Sequence, residues 1–255
     1  MTLPDADTTL DAFLGGRLRL RQLRGGHRAG HDAILLAAAT AARAGDRVVE
    51  LGAGIGAAGL ALAARVPGID LTMVEIDAAL AALAEGNAIA NGIAARVCVA
   101  DVAARAATLA GCGLGPDSAD VVLMNPPFNA AGRHRGSPDA ARRLAHEADA
   151  GTLNIWVHTA RRLLRSGGAL TMIWRAEDIA DLLAAMKRGF GGVAILPVHP
   201  RPDSPAIRVL LRAVKGGRGA TALCPGLVLN DTDGSPTAEA DEVLRGRRVL
   251  PLACV

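Results

Sequence analysis

Arg47-Val48-Val49-Glu50-Leu51-Gly52-Ala53-Gly54-Ile55-Gly56, running on into residues 57–65, is a short apolar strand, a glycine-rich turn and a helix in immediate succession. The same rhythm repeats downstream. Asp70 to Glu75 reads as a second strand and Ala78 to Asn91 as a second helix. Arg96 to Val99 is a third strand and Asp120 to Met124 a fourth. A helix over about 150–165 leads to a fifth strand, Ala169 to Trp174, and Ile179 to Arg188 is helical. Two late strands follow at 194–199 and 207–214. Strands alternating with helices predict a mostly parallel α/β sheet covered on both faces. Upstream, residues 10–26 alternate around two glycine pairs and predict a small hairpin. Asp32 then opens an apolar helix that runs to Ala42. The division expected is an N-terminal hairpin and helix over 1–45 and a main domain over 46–255. Residues 129–142 read as a surface loop, and Glu239 to Leu244 as a short late helix.

The 255 residues are 51% hydrophobic, enough for one substantial core. Net charge is only +3, from 28 basic and 25 acidic residues, too little to imply a nucleic-acid partner by itself. Aromatics are 2% of the chain, with no Tyr. Cys98, Cys112, Cys224 and Cys254 show no metal-ligand or redox spacing, which predicts free thiols in a reducing, cytoplasmic setting. The N-terminus lacks the pattern of a signal peptide, and the apolar runs are too short to span a bilayer. The six histidines show no HExxH motif or Cys/His cluster, so no metal is expected.

The turn Glu50 to Gly56 lets the backbone approach a ligand closely, and the helix behind it offers free N–H groups. Such a turn suits either a dinucleotide pyrophosphate or the methionine end of S-adenosylmethionine. Glu75, with Ile76 beside it, ends the second strand about twenty residues on, where a carboxylate accepts both hydroxyls of a ribose. Asp101 follows the third strand; it is placed either to accept from an adenine amine or to cap a helix starting at Val102. All of these stand at the carboxyl ends of parallel strands, where open α/β sheets bind ligands.

The most specific signal is Asn125-Pro126-Pro127-Phe128, directly after the fourth strand. Two prolines fix the backbone and remove two N–H donors, so nearby carbonyls and the Asn125 amide oxygen point into a pocket as acceptors. Two convergent acceptors suit an –NH2 group on a planar system. Phe128 offers a flat face for that ring, a contact of roughly 1–3 kcal/mol for a base. Methyl transfer from a sulfonium is an in-line displacement that needs alignment and desolvation more than a strong base.

Four stretches together, Gly25 to Gly30, Asp32 to Ala37, Glu50 to Gly56 and Asn125 to Phe128, resemble the tRNA adenine-N6 methyltransferase family. The likeness runs from about residue 10 to about 245. The resemblance implies a seven-stranded, Rossmann-like class I methyltransferase fold with its last strand antiparallel. By resemblance, Gly52, Ala53, Gly54 and Gly56 line the methionine end of S-adenosylmethionine, Glu75 takes its ribose, and Asp101 with Val102 borders its adenine. The segment Arg28 to Asp32 is similar to one that packs over the cofactor, with Gly30 as a close-approach glycine. Asn125 to Phe128 handle the target amine. His31 stands where relatives often carry a small hydroxyl residue, and Glu50 where many have Asp.

The implied partner is tRNA. Arg133, His134 and Arg135, with Arg142 and Arg143 nearby, are placed to grip phosphates around a target base, and Arg17, Arg19, Arg21 and Arg24 offer a second face. An adenosine would have to be unstacked to reach the pocket. The alternatives are N5-methylation of a glutamine in a translation factor, methylation of guanine N2 in RNA, or a binding module without catalysis. Against the glutamine reading stand Phe128 in place of the usual Tyr and the short N-terminal region. The apolar Val249-Leu250-Pro251-Leu252 is expected to pack on the domain or on another subunit.

Overall fold

Alternate residues of the central strands go to opposite faces of one sheet in the computed structural model. Val48, Leu71, Val121 and Ile173 face one apolar layer, while Val49, Val74, Val122 and Trp174 face the other. The structure describes residues 8–25, 28–127 and 138–254, the side chains of 138–150 excepted.

The chain begins with strands β1 (Thr8–Phe13) and β2 (Leu18–Leu23), which form an antiparallel hairpin, and helix α1 (His31–Ala39). It continues as β3 (Arg47–Leu51), α2 (Ala57–Arg65), β4 (Asp70–Glu75), α3 (Ala78–Ala90), β5 (Ala95–Val99), α4 (Ala106–Gly111) and β6 (Ala119–Met124). Then come α5 (Pro138–Leu163), β7 (Leu164–Arg175), α6 (Ile179–Met186), β8 (Phe190–His199), β9 (Arg208–Lys215), β10 (Ala222–Leu223), β11 (Leu227–Val228) and α7 (Ala238–Leu244).

The main sheet runs β10-β8-β9-β7-β6-β3-β4-β5, with β11 also on β8. Strands β7, β6, β3, β4 and β5 run parallel to one another, and β9 is antiparallel to both β7 and β8. The sheet therefore has nine strands, not the seven expected. The two additions are two-residue pieces on one edge of β8, pairing Ala222 with Ala194 and Leu227 with Val198. Pro225, which has no N–H to donate, stands between them. Pieces this short leave no period in a sequence.

Other expectations also shift. Helix α5 begins at Pro138, so 138–142 are helical rather than loop; proline is favoured at a first helical position, and the many charges after it hide the apolar period. Helix α1 stops at Ala39, three residues early, where Thr40 turns extended and its hydroxyl donates to the Leu36 carbonyl. Its N-cap is Gly30, and Asp32 does not cap: its carboxylate pairs with Arg208 at 2.9 Å.

The hairpin is held to α3 by two amides one helical turn apart. Asn87 Oδ1 accepts from Arg21 N (2.7 Å) while its Nδ2 donates to Arg21 O and Ile55 O. Asn91 repeats the exchange with Arg19. These side chains act as a surrogate strand for the free edge of β2, satisfying backbone groups that burial would otherwise orphan. Arg17 reaches the carbonyls of Arg245 and Gly246 at the end of α7, and Arg21 reaches Thr8. Arg17 and Arg21, from the arginine face expected on the hairpin, are thereby engaged within the protein. At the C-terminus Leu250 and Leu252 are buried against the chain itself, with Leu250 N donating to Ala38 O.

Cys98 on β5 and Cys112 after α4 form a disulfide, with Cα atoms 5.9 Å apart. This overturns the expectation of four free thiols; a separation of 14 residues carries no motif, and only the fold of α4 back along β5 brings the pair together. Cys224 and Cys254 are free.

Candidate active site

The carboxyl ends of β3, β4, β5 and β6 open into one cleft of about 730 Å³, a size suited to a ligand of nucleoside dimensions. Its floor is the glycine turn. Gly52 and Gly54 have φ of +67° and +56°, a region that costs a side-chain-bearing residue energy, and the Ala53 N–H between them donates to Val74 O. Gly56 does not line the cleft, contrary to expectation. It caps α2 in the left-handed conformation, and a Cβ there would lie 2.7 Å from Met73 Sδ, so this glycine serves packing.

Two carboxyls stand beside the turn. Glu75 Oε2 accepts from Gly54 N (2.7 Å) and Oε1 from Asp77 N (2.9 Å), which leaves each oxygen a lone pair for a ligand hydroxyl. Glu50 is buried on the α2 side, where Oε2 accepts from Gly59 N at 2.8 Å. Desolvation pushes its carboxyl up to about 8, although bonds from Gly59 and Ala58 pull the other way. Gly59 is what permits the approach, since a Cβ there would meet Glu50 Oε2 at 2.5 Å.

Asp101, Val102, Ala100 and Ile76 form the next wall. Asp101 Oδ1 accepts from Ala103 N (2.8 Å) in a turn; helix α4 begins only at Ala106, so Asp101 is not its cap. Thr159 on α5 donates to Val102 O (3.0 Å) and ties the wall to the helix beneath.

Asn125, Pro126 and Pro127 line the cleft directly after β6. Asn125 Oδ1 is buried and has no hydrogen-bond partner among the described residues, an arrangement that costs about 1–3 kcal/mol unless a donor is supplied. Phe128, Arg133 and Arg135 lie outside the described residues, as does the side chain of Arg142, which falls on α5.

The segment Arg28 to Ala33 closes the other side. Arg28 donates to Leu23 O and Thr9 Oγ1 and pairs with Asp11, while buried Gln22 accepts from Ala29 N. The hairpin thus fixes this cover. Gly30 lines the cleft, and a Cβ built on it would meet no described protein atom within 4 Å. His31 and Asp32 also line the cleft. Trp156, on α5, does too, and sequence reasoning missed it. It belongs to no motif; the signal was its rarity in a chain with two Trp and no Tyr. Among the described residues no cluster of His, Cys, Asp or Glu suits a metal ion, and no helix is long and apolar enough to cross a membrane.

Residues 30–199 match the methyltransferase small domain family. A tRNA1(Val) (adenine(37)-N6)-methyltransferase of Dickeya chrysanthemi (strain Ech1591) is 31% identical over 212 residues, covering 80% of this chain and 81% of its own. A release factor glutamine methyltransferase of Chlorobaculum tepidum is 28% identical over 163 residues, covering 61% of this chain and 54% of its own. A solved structure from Agrobacterium tumefaciens, described as a predicted O-methyltransferase, superposes with a TM-score of 0.71 at 32% identity, covering 86% of this chain and 98% of that one. The shared architecture is the α/β fold of class I S-adenosylmethionine-dependent methyltransferases, here with nine strands in a mixed, mostly parallel sheet.

Proposed function

Since the chain belongs to the methyltransferase small domain family, we propose that it transfers a methyl group from S-adenosylmethionine to the exocyclic N6 of an adenine in tRNA. The observation that carries the acceptor chemistry is the buried Oδ1 of Asn125 at the end of β6, next to two prolines and without a hydrogen-bond partner among the described residues. An amine hydrogen satisfies it, and a second acceptor from the Asn125 or Pro126 carbonyl holds the other hydrogen. With both hydrogens held, the nitrogen lone pair is aimed along the transfer axis. A hydroxyl acceptor has one hydrogen and leaves one of these groups unpaired, which favours nitrogen over oxygen.

The donor's fit rests on this chain's own groups. Glu75 has spare acceptor capacity for two ribose hydroxyls, Ile76, Ala100 and Val102 give an apolar wall for a base, and Asp101 stands at its edge. The Gly52–Gly54 turn and the cover Arg28 to Gly30 enclose the remainder. When bound, S-adenosylmethionine supplies an activated methyl on a sulfonium. The protein's work is to align, to exclude water and to hold the amine. The proton leaves nitrogen after the new N–C bond has placed positive charge there, so no strong base is assigned. Phe128 is proposed to stack on the target base, and Arg133, Arg135 and Arg142 to hold flanking phosphates. The relative from Dickeya chrysanthemi supports the tRNA assignment; the release factor enzyme from Chlorobaculum tepidum makes a protein glutamine amide the second reading.

Incubating the protein with labelled S-adenosylmethionine and tRNA lacking the modification, followed by nucleoside analysis, tests the assignment. The expected product is N6-methyladenosine, with Asn125→Ala slower by about two orders of magnitude or more. Label on a release factor and none in tRNA would overturn the RNA substrate. Label in tRNA that is indifferent to Asn125→Ala would overturn the site.

A further inference from the structure

Trp156 stands in the wall of the cleft without belonging to any motif that lines it. Its neighbours on α5 are core: Leu153, Val157 and Ala160 are buried. Trp156 packs against that core but is only half-buried, and part of its large apolar ring is left to line the cleft. The ring lies against the glycine turn. A Cβ built on Gly52 would fall 2.2 Å from the indole Cη2 and 2.8 Å from Cζ3, so the first glycine of the turn is required by this ring as well as by its own φ. One turn further along α5, Thr159 is bonded to Val102 O. The helix is thereby tied to the Asp101–Val102 wall of the same cleft.

We propose that Trp156 contacts the methyl donor directly, its indole forming the aromatic side of the donor channel beside the glycine turn. The inference rests on S-adenosylmethionine being the donor. An indole face suits both halves of that ligand, since it attracts a cationic centre through its quadrupole and stacks on a purine. An aliphatic residue supplies neither interaction.

Calorimetric and fluorescence titrations with S-adenosylmethionine and S-adenosylhomocysteine, on wild type, Trp156→Phe, Trp156→Leu and Trp156→Ala, decide it. The only other tryptophan, Trp174, is 1% exposed, so emission that responds to ligand is assigned by its disappearance in Trp156→Phe. Expected are quenching in wild type and none in Trp156→Phe. Trp156→Phe binds within about threefold of wild type, while Trp156→Leu and Trp156→Ala weaken by about tenfold or more, equivalent to ~1.4 kcal/mol. Equal affinity in wild type, Trp156→Leu and Trp156→Ala, with quenching intact in Trp156→Phe, would overturn the inference and leave the proposed function standing. A wild type that binds neither ligand would remove the donor, and both proposals with it.

Discussion

Glu50 is 5% exposed on the sheet face covered by α2, and burial outweighs the bonds it accepts, so its carboxyl titrates near 8. A carboxyl raised above its unfolded value stabilises the fold fully only below about 4.3, and that contribution is lost as pH rises through the folded value. Glu50→Gln keeps an acceptor for Gly59 and has no charge to desolvate. Its ligand-free melting temperature is therefore expected to match wild type near pH 5, to gain progressively up to about pH 8, and to level off above, by several degrees in total (about 2–4 °C per kcal/mol for a chain this size). A gap that is flat across this range in thermal melts would contradict the buried neutral carboxyl. Glu50, Gly52, Glu75, Asp101 and Asn125 were all legible as residues because each follows a strand end or sits in a glycine turn. Gly56 and Trp156 were not: the first serves packing against Met73, and the second reaches the cleft from a helix a hundred residues beyond the turn it touches.

Among the elements, β5 and α4 are bridged by Cys98 and Cys112, closing a loop that carries Ala100, Asp101 and Val102 into the cleft. Cross-linking a loop of this length removes unfolded-state freedom worth about 3 kcal/mol. Denaturant unfolding of the oxidised protein is expected to lose about that much on adding a thiol reductant. Cys112→Ser is expected to start at the lower value and to ignore reductant. A wild type indifferent to reductant would show that the bridge does not form in solution. The long central elements were legible because their period is regular: β4 spans Asp70–Glu75 as read, and α2 spans Ala57–Arg65. Elements whose pattern is hidden or too short were misread or missed, namely the charged first half of α5, the six-residue helix α4 and the two-residue strands β10 and β11, and α1 was read three residues too long.

At the scale of the whole molecule, the far end of the sheet is closed by one carboxylate. Asp120 on β6 accepts from Arg47 on β3 at 3.0 Å and is also paired with Arg165 on β7. The bond from Arg47 is the main reason its carboxyl lies well below the usual carboxylate range, and the side chain is only 16% exposed. A depressed carboxyl contributes stability above its unfolded value of about 3.9, and loses it as pH falls toward the folded one. Asp120→Asn is expected to cost roughly 1.5–3 kcal/mol at pH 7, with the difference from wild type shrinking below about pH 4. Chemical denaturation at pH 7 and at pH 3 measures both, and an undiminished difference at pH 3 would exclude ionic pairing as the cause.

The sequence by itself determined the alternation of strand and helix, the glycine turn, and the carboxylates and Asn-Pro-Pro segment at strand ends. Those features depend on local period and on backbone chemistry carried within a few residues. Only the tertiary structure decided which groups from distant segments meet. It placed the Trp156 ring on Gly52, the Asn87 and Asn91 amides on β2, Cys98 beside Cys112, and Asp32 on Arg208 instead of on its own helix. Each of those contacts joins residues 14 to 176 positions apart. Their closeness is set by how the layers pack on the sheet, and no local pattern in the chain encodes it.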